Sequence, residues 1–132
     1  MGATPSPFTI KNLREVEDLA VKFGYSGQQE ARFPREELGA ERTGLSYQRV
    51  KPGKRHAFGH RHKEAEEIYV VLSGTGRVRL DDEIHDLRPL DAIRIAPPVT
   101  RAFEAEDDGL ELLVFSTYHP GDAEMVPDFW TE

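Results

Sequence analysis

From Leu45 onward, apolar and polar residues alternate in short runs bounded by Gly, Pro and Asp. The runs are LSYQRVK, KRHAFGHRH, EIYVVLS, GRVRLDD, EIHDLR, DAIRIA, RAFEA and LELLVFSTY. Breaks fall at Gly74-Thr75-Gly76, Asp81-Asp82, Pro89-Leu90-Asp91, Pro97-Pro98 and Asp107-Asp108-Gly109, each a turn signal. Many short strands with no helical pattern between them predict an all-β antiparallel sandwich or barrel. Before them, residues 12–23 (NLREVEDLAVKF) place Leu13, Val16, Leu19 or Ala20, and Phe23 on one helical face. Asn12 is placed to cap that segment, with Glu15 three residues on, so one short helix is expected there. Residues 24–44, broken by Gly24, Gly27, Pro34, Gly39 and Gly44, read as turns and short extended pieces. The expected organisation is an N-terminal arm over 1–44, a barrel over 45–118, and a tail over 119–132. That tail carries Phe129 and Trp130, and it packs back on the barrel or a partner because two aromatics in water forfeit burial energy.

Strand parity sharpens the picture. His56, Phe58, His60 and His62 share one face if the segment is extended, since side chains alternate with period two. Glu67, Tyr69 and Val71 share one face of the next run, with Ile68, Val70 and Leu72 opposite. Apolar residues on both faces require a cover for the outer one, and pairing of two copies through the sheet is the expectation.

Composition bounds the rest. The chain has 132 residues, enough for one domain with a real core. Its net charge of −7, with scattered basic residues, argues against nucleic acid as a partner. No apolar run approaches the roughly 18 residues that cross a bilayer, and no secretion signal opens the sequence. There is no cysteine, which removes disulfides and thiolate ligands and fits a cytoplasmic setting.

The candidate chemistry lies in GHRHKEAEEIYVVLSG, residues 59–74. Histidines at i and i+2 on a strand point the same way and suit adjacent positions on one metal ion. Two His and one carboxylate leave open positions for water, oxygen or substrate, the arrangement of non-haem iron enzymes. His60, His62 and Glu67 are that trio, and two surface histidines are the plainer alternative. His85 and His119 read as strand and turn residues, and the acids from Glu104 to Asp108 as a solvated loop.

HRH, four residues, Glu67, six residues and Gly74 resemble the first motif of the cupin superfamily, in its small single-domain "cupin 2" type. Pro52-Gly53 is similar to that motif's opening glycine, and GTGRVRLDDEIHDLRPLDAIRIAPPVTRAF resembles the second motif. The resemblance covers about 45–118. It implies a double-stranded β-helix, or jelly-roll barrel, with the short helix outside it. It also implies a small-molecule pocket, often with iron, manganese, nickel or zinc. Two departures matter. Leu90 stands where the family's turn has glycine, and Arg101 stands where its fourth metal ligand, a histidine, is expected. Arginine stays protonated and offers no lone pair, so it cannot ligate.

Three arrangements follow. The trio still holds a divalent metal while Arg101 anchors an anionic group of the ligand. Alternatively, Arg101 replaces the metal as the positive charge, paired with Glu67 or Glu66. In the third, Arg101 faces away and His56, His85 or His119 completes the site. The first implies a metal-dependent enzyme, dioxygenase-like or isomerase-like, acting on a small anionic metabolite with Tyr69 or His56 as proton donor. The second implies a metal-free sensor or carrier.

Overall fold

The computed structural model describes residues 6–130, so 1–5 of the expected arm and 131–132 of the expected tail lie outside it. Eight strands form one antiparallel sheet that curls into a jelly-roll barrel: β1 (Gln29–Arg32), β2 (Thr43–Val50), β3 (Gly59–His62), β4 (Glu67–Leu80), β5 (Glu83–Leu87), β6 (Ala92–Ile95), β7 (Arg101–Thr117) and β8 (Ala123–Val126). β7 is the hub. Its C-terminal half pairs with β2, its first residue with β3, and nearly its whole length with β4. β6 flanks the first half of β4 and β5 the second. The sheet extends past 45–118 at both ends, taking in β1 beside β2 and β8 beside β3.

Two expected turns are not turns. Gly74-Thr75-Gly76 and Asp107-Asp108-Gly109 lie inside β4 and β7, which run on through irregular pairing at Val71/Ser73 and Gly74/Gly76. The two strands approach so closely here that a Cβ on Gly74, whose φ is 80°, would lie 1.9 Å from the Gly109 carbonyl oxygen. The glycines therefore permit a bulge, which bends a long strand around the barrel without ending it. The acids expected in a loop belong to β7, and Glu104 is held between Arg55 and Arg77 at 2.5 and 2.6 Å.

The expected helix over 12–23 is divided. A 3-10 turn at Leu13–Glu15, capped by the Asn12 side chain, ends at buried, extended Val16; one helical turn, α1 (Leu19–Lys22), then starts from Asp18. The reason lies in Asp18, whose carboxylate accepts from Ala20 N and also from Ala31 N on β1. Tying α1 to β1 through one side chain, with Asp18 itself extended, keeps a single helix from running through this point. A second helical turn, α2 (Arg35–Leu38), precedes β2.

β4 shows the predicted alternation. Glu67, Tyr69 and Val71 are buried, whereas Ile68 is 41% and Leu72 37% exposed. Tyr69, Val71, Val78, Ile95, Phe103, Leu110 and Leu112 form the core, each worth roughly 1.5–3 kcal/mol on burial. Period-two alternation thus carries Glu67 inside the barrel on the same face as the core. Outside, Ile68 lies across from Phe115, which is 43% exposed. Among the described residues, no helix is long and apolar enough to cross a membrane.

The C-terminal aromatics pack back on the barrel. Trp130 is buried, with the Arg55 and Arg77 guanidinium groups 5.0 and 5.5 Å from its ring. Arg79 lies 4.5 Å from the Phe129 ring and donates to the Phe129 carbonyl.

Candidate metal centre

β3 is short, and only Gly59–His62 is extended. His60 and His62 therefore share a face as expected, with ring centroids 5.1 Å apart, while His56 and Phe58 lie before the strand. The turn 63–66 then leads into β4, which like β3 runs antiparallel to β7, and Glu67, its first residue, points into the same space. One donor atom from each of His60, His62 and Glu67 lies within 4.8 Å of the others, and no other described residue joins such a group. The focus is Glu67 Oε1, which is 3.4 Å from His60 Nε2, 3.3 Å from His62 Nε2, and 2.9 Å from the Tyr69 hydroxyl that donates to it.

Burial pushes the Glu67 carboxyl up, but its close contacts with the His60 and His62 rings outweigh that and hold the group well below the usual carboxylate range. Burial lowers His60 despite its bond to Glu67, so its imidazole stays neutral. Burial, followed by the Glu67 charge, pushes the Tyr69 phenol up, which keeps its proton available to Glu67.

A residue that the sequence reading missed fixes this geometry. Asp122, buried just before β8, has Oδ2 3.2 Å from His62 Nδ1. The same carboxylate accepts from Lys63 N, Glu64 N and Ala65 N, the three amides of the turn between the donor strands. Burial raises its carboxyl, but those amide bonds outweigh that and keep it ionised. An aspartate in HPGD, sixty residues from its partner, gave no local signal. Its place became visible only once β8 paired with β3.

With Nδ1–H donated to Asp122, His62 presents a lone pair at Nε2. That atom is buried and has no hydrogen-bond partner, and it faces an oxygen of Glu67. A neutral imidazole lone pair and a carboxylate oxygen 3.3 Å apart are suited to sharing a cation. The donor set of two imidazoles and one carboxylate, with a carboxylate behind one histidine, therefore fits a divalent metal.

Arg101 lies directly across from His60 in the sheet and is fully buried. Its Nη2 donates to the Ala96 carbonyl, and Nη1 is 3.7 Å from Glu67 Oε1, while Nε and Nη1 make no hydrogen bond. The guanidinium thus faces the barrel interior beside the donor group. It pairs with Glu67, whereas Glu66 is engaged by Arg94 on the outside.

The other candidates lie elsewhere. His56 is half-buried beside Phe103, and its Nδ1 accepts from Phe103 N. Burial, with a smaller contribution from His60, lowers it to about 3, so it is neutral. His85 is exposed beside Glu83. His119 bonds Thr117 and Glu64.

A cavity of about 510 Å³ reaches the site from one side, touching His62 and Glu67. It is lined by Ser46, Val114 and Ser116 of the barrel and by Val16, Leu19, Phe33 and Arg35 of the arm. Arg101 does not line it.

A jelly-roll barrel with a His/His/Glu group at the mouth of its core defines a class, and the comparisons place the chain in it. A family model, "Cupin domain", matches residues 46–118, and the chain belongs to the cupin family. Among solved structures it is similar to the polyketide cyclase RemF of Streptomyces resistomycificus, with 22% identity, TM-score 0.71, and 94% of this chain and 87% of that one covered. A cupin protein of Bacteroides fragilis matches with 23% identity and TM-score 0.68 over 89% and 88%. A sugar phosphate isomerase from a cupin superfamily of Silicibacter pomeroyi matches with 23% identity and TM-score 0.67 over 77% and 67%. At these identities the likeness shows the fold. No curated protein matches the chain.

Proposed function

We propose that this chain is a divalent-metal-dependent enzyme, with His60, His62 and Glu67 as metal ligands, acting on a small anionic metabolite in the cavity beside them. One observation carries the reading. The buried Nε2 of His62 has no partner, while Asp122 fixes the other ring nitrogen, an arrangement that serves a metal ligand and leaves a plain core histidine unsatisfied. The nitrogen-rich donor set with one carboxylate favours Fe(II) or Mn(II), with Zn(II) and Ni(II) as competitors. When bound, the metal supplies open coordination positions suited to dioxygenation or isomerisation. The protein's own groups do the rest. Glu67 stays ionised, Tyr69 holds a proton at its hydroxyl 2.9 Å from Glu67, and Arg101 adds positive charge that favours an anionic ligand.

A second reading has its own support. Arg101 and Glu67, 3.7 Å apart inside the barrel, already balance charge, which suits a metal-free sensor or carrier. Elemental analysis of tag-free protein separates the two. Near-stoichiometric iron or manganese, lost in His60→Ala and Glu67→Ala, is expected; absence of metal and of uptake overturns the first reading.

We also propose that two chains pair over the exposed row Ile68, Leu72 and Phe115, which supports the expected dimer. Sedimentation equilibrium tests this: a dimer weakened by Phe115→Lys is expected, and a monomer at all concentrations overturns it.

A further inference from the structure

The cavity that His62 and Glu67 line is also lined by Arg35, contributed by α2 of the arm. Leu19, Phe33 and Val114 supply apolar lining. The Arg35 guanidinium lies 3.4 Å from the centroid of the Tyr118 ring, so stacking fixes its plane. Its Nε is buried without a hydrogen-bond partner, and among the described residues no carboxylate pairs with it within 4.0 Å. A planar guanidinium held on an aromatic face with an unsatisfied donor is prepared for a carboxylate or phosphate oxygen. Glu17, Glu36 and Glu37 also line the cavity. Their charge opposes an anionic group anywhere in the cavity but on Arg35.

We propose that Arg35 is the specificity-determining residue of this cavity, binding the single anionic group of an otherwise apolar substrate whose other end lies against His62 and Glu67. The inference deepens the reading of the cavity as the substrate pocket and rests on it. It also assigns to the N-terminal arm, which lies outside the residues matching the family, the choice of substrate.

Calorimetric titration of metal-stripped and Mn(II)-loaded protein tests it, with phenylpyruvate and phenyl phosphate as anionic probes and phenylacetamide and inorganic phosphate as controls. Expected are binding of the anionic aromatic probes, weaker binding of both controls, and a loss of about tenfold or more in Arg35→Gln. Arg35→Lys, which keeps the charge but not the planar fork, should fall between. Mn(II) uptake should be unchanged in both variants, which separates this test from that of the metal site. Failure of wild type to bind either anionic probe, or equal affinities in wild type and Arg35→Gln with the fold intact by circular dichroism, overturns the proposal.

Discussion

Asp122 and His62, sixty residues apart in sequence, meet at 3.2 Å between a carboxylate oxygen and Nδ1. Because the same carboxylate also caps the turn 63–65, one side chain sets both the tautomer of His62 and the path of the chain from β3 into β4. Asp122→Asn turns an acceptor into a mixed donor and acceptor, and the amide must face either His62 Nδ1–H or the turn amides with its NH2. Mn(II) affinity is expected to fall by about 10–100-fold, the usual effect of losing such a partner. Unaltered affinity would mean that Asp122 serves the turn alone.

Arg101 offers a second handle. Removing its charge by Arg101→Gln takes a cation away from the place where a metal would lie, so Mn(II) binding should tighten several-fold. If the barrel is metal-free, the same change leaves Glu67 buried without its cation and costs about 3–5 kcal/mol in urea unfolding. Tighter metal binding with a modest loss of stability is the expected outcome.

Glu104 gives a pH-dependent prediction away from the site. Burial raises its carboxyl, but hydrogen bonds from Arg55 and Arg77 outweigh that and hold it below the ordinary glutamate value. A depressed pKa means that the unfolded chain binds the proton first as pH falls. The stability from this cluster is therefore present above the unfolded value, about 4.3, and is lost as pH drops through the folded one. The Tm difference between wild type and Glu104→Gln should be widest near neutrality and should shrink in acid. A difference independent of pH would contradict the assignment.

The C-terminal aromatics are structural on this account of the barrel. Trp130→Ala removes a buried indole and is expected to cost about 3 kcal/mol in chemical unfolding. Gly59→Ala should also destabilise, since its Cβ would lie 2.7 Å from Phe129 Cδ2. A stability change near zero for both would show that the tail is not part of the folded unit.

Much of this was legible in the sequence because it rests on period two. The inward run Glu67, Tyr69, Val71 and the paired His60 and His62 follow from alternation alone, and spacing then suffices to bring the three donors together. The pattern could not show that Gly74 and Gly109 are bulges within long strands. A glycine cluster reads the same whether the chain turns back or bends, and only the pairing of β4 with β7 decides. Strands β1 and β8, of four residues each, are too short to print a period. Asp122 and Arg35 escaped for a related reason, since each acts on residues that only the fold brings near. Leu90 shows the opposite. The turn needs a positive φ there, and this chain adopts φ 72° with a leucine, at a strain of roughly 1–2 kcal/mol.

The central claim is that His60, His62 and Glu67 hold a metal despite the arginine beside them. Titration of metal-stripped protein with Mn(II), following the electron paramagnetic resonance signal of the free ion, tests it most directly. One equivalent bound by wild type and none by His62→Ala is expected. A free-ion signal that rises in wild type as it does in buffer alone would contradict the claim and leave Arg101 as the only cation of the site.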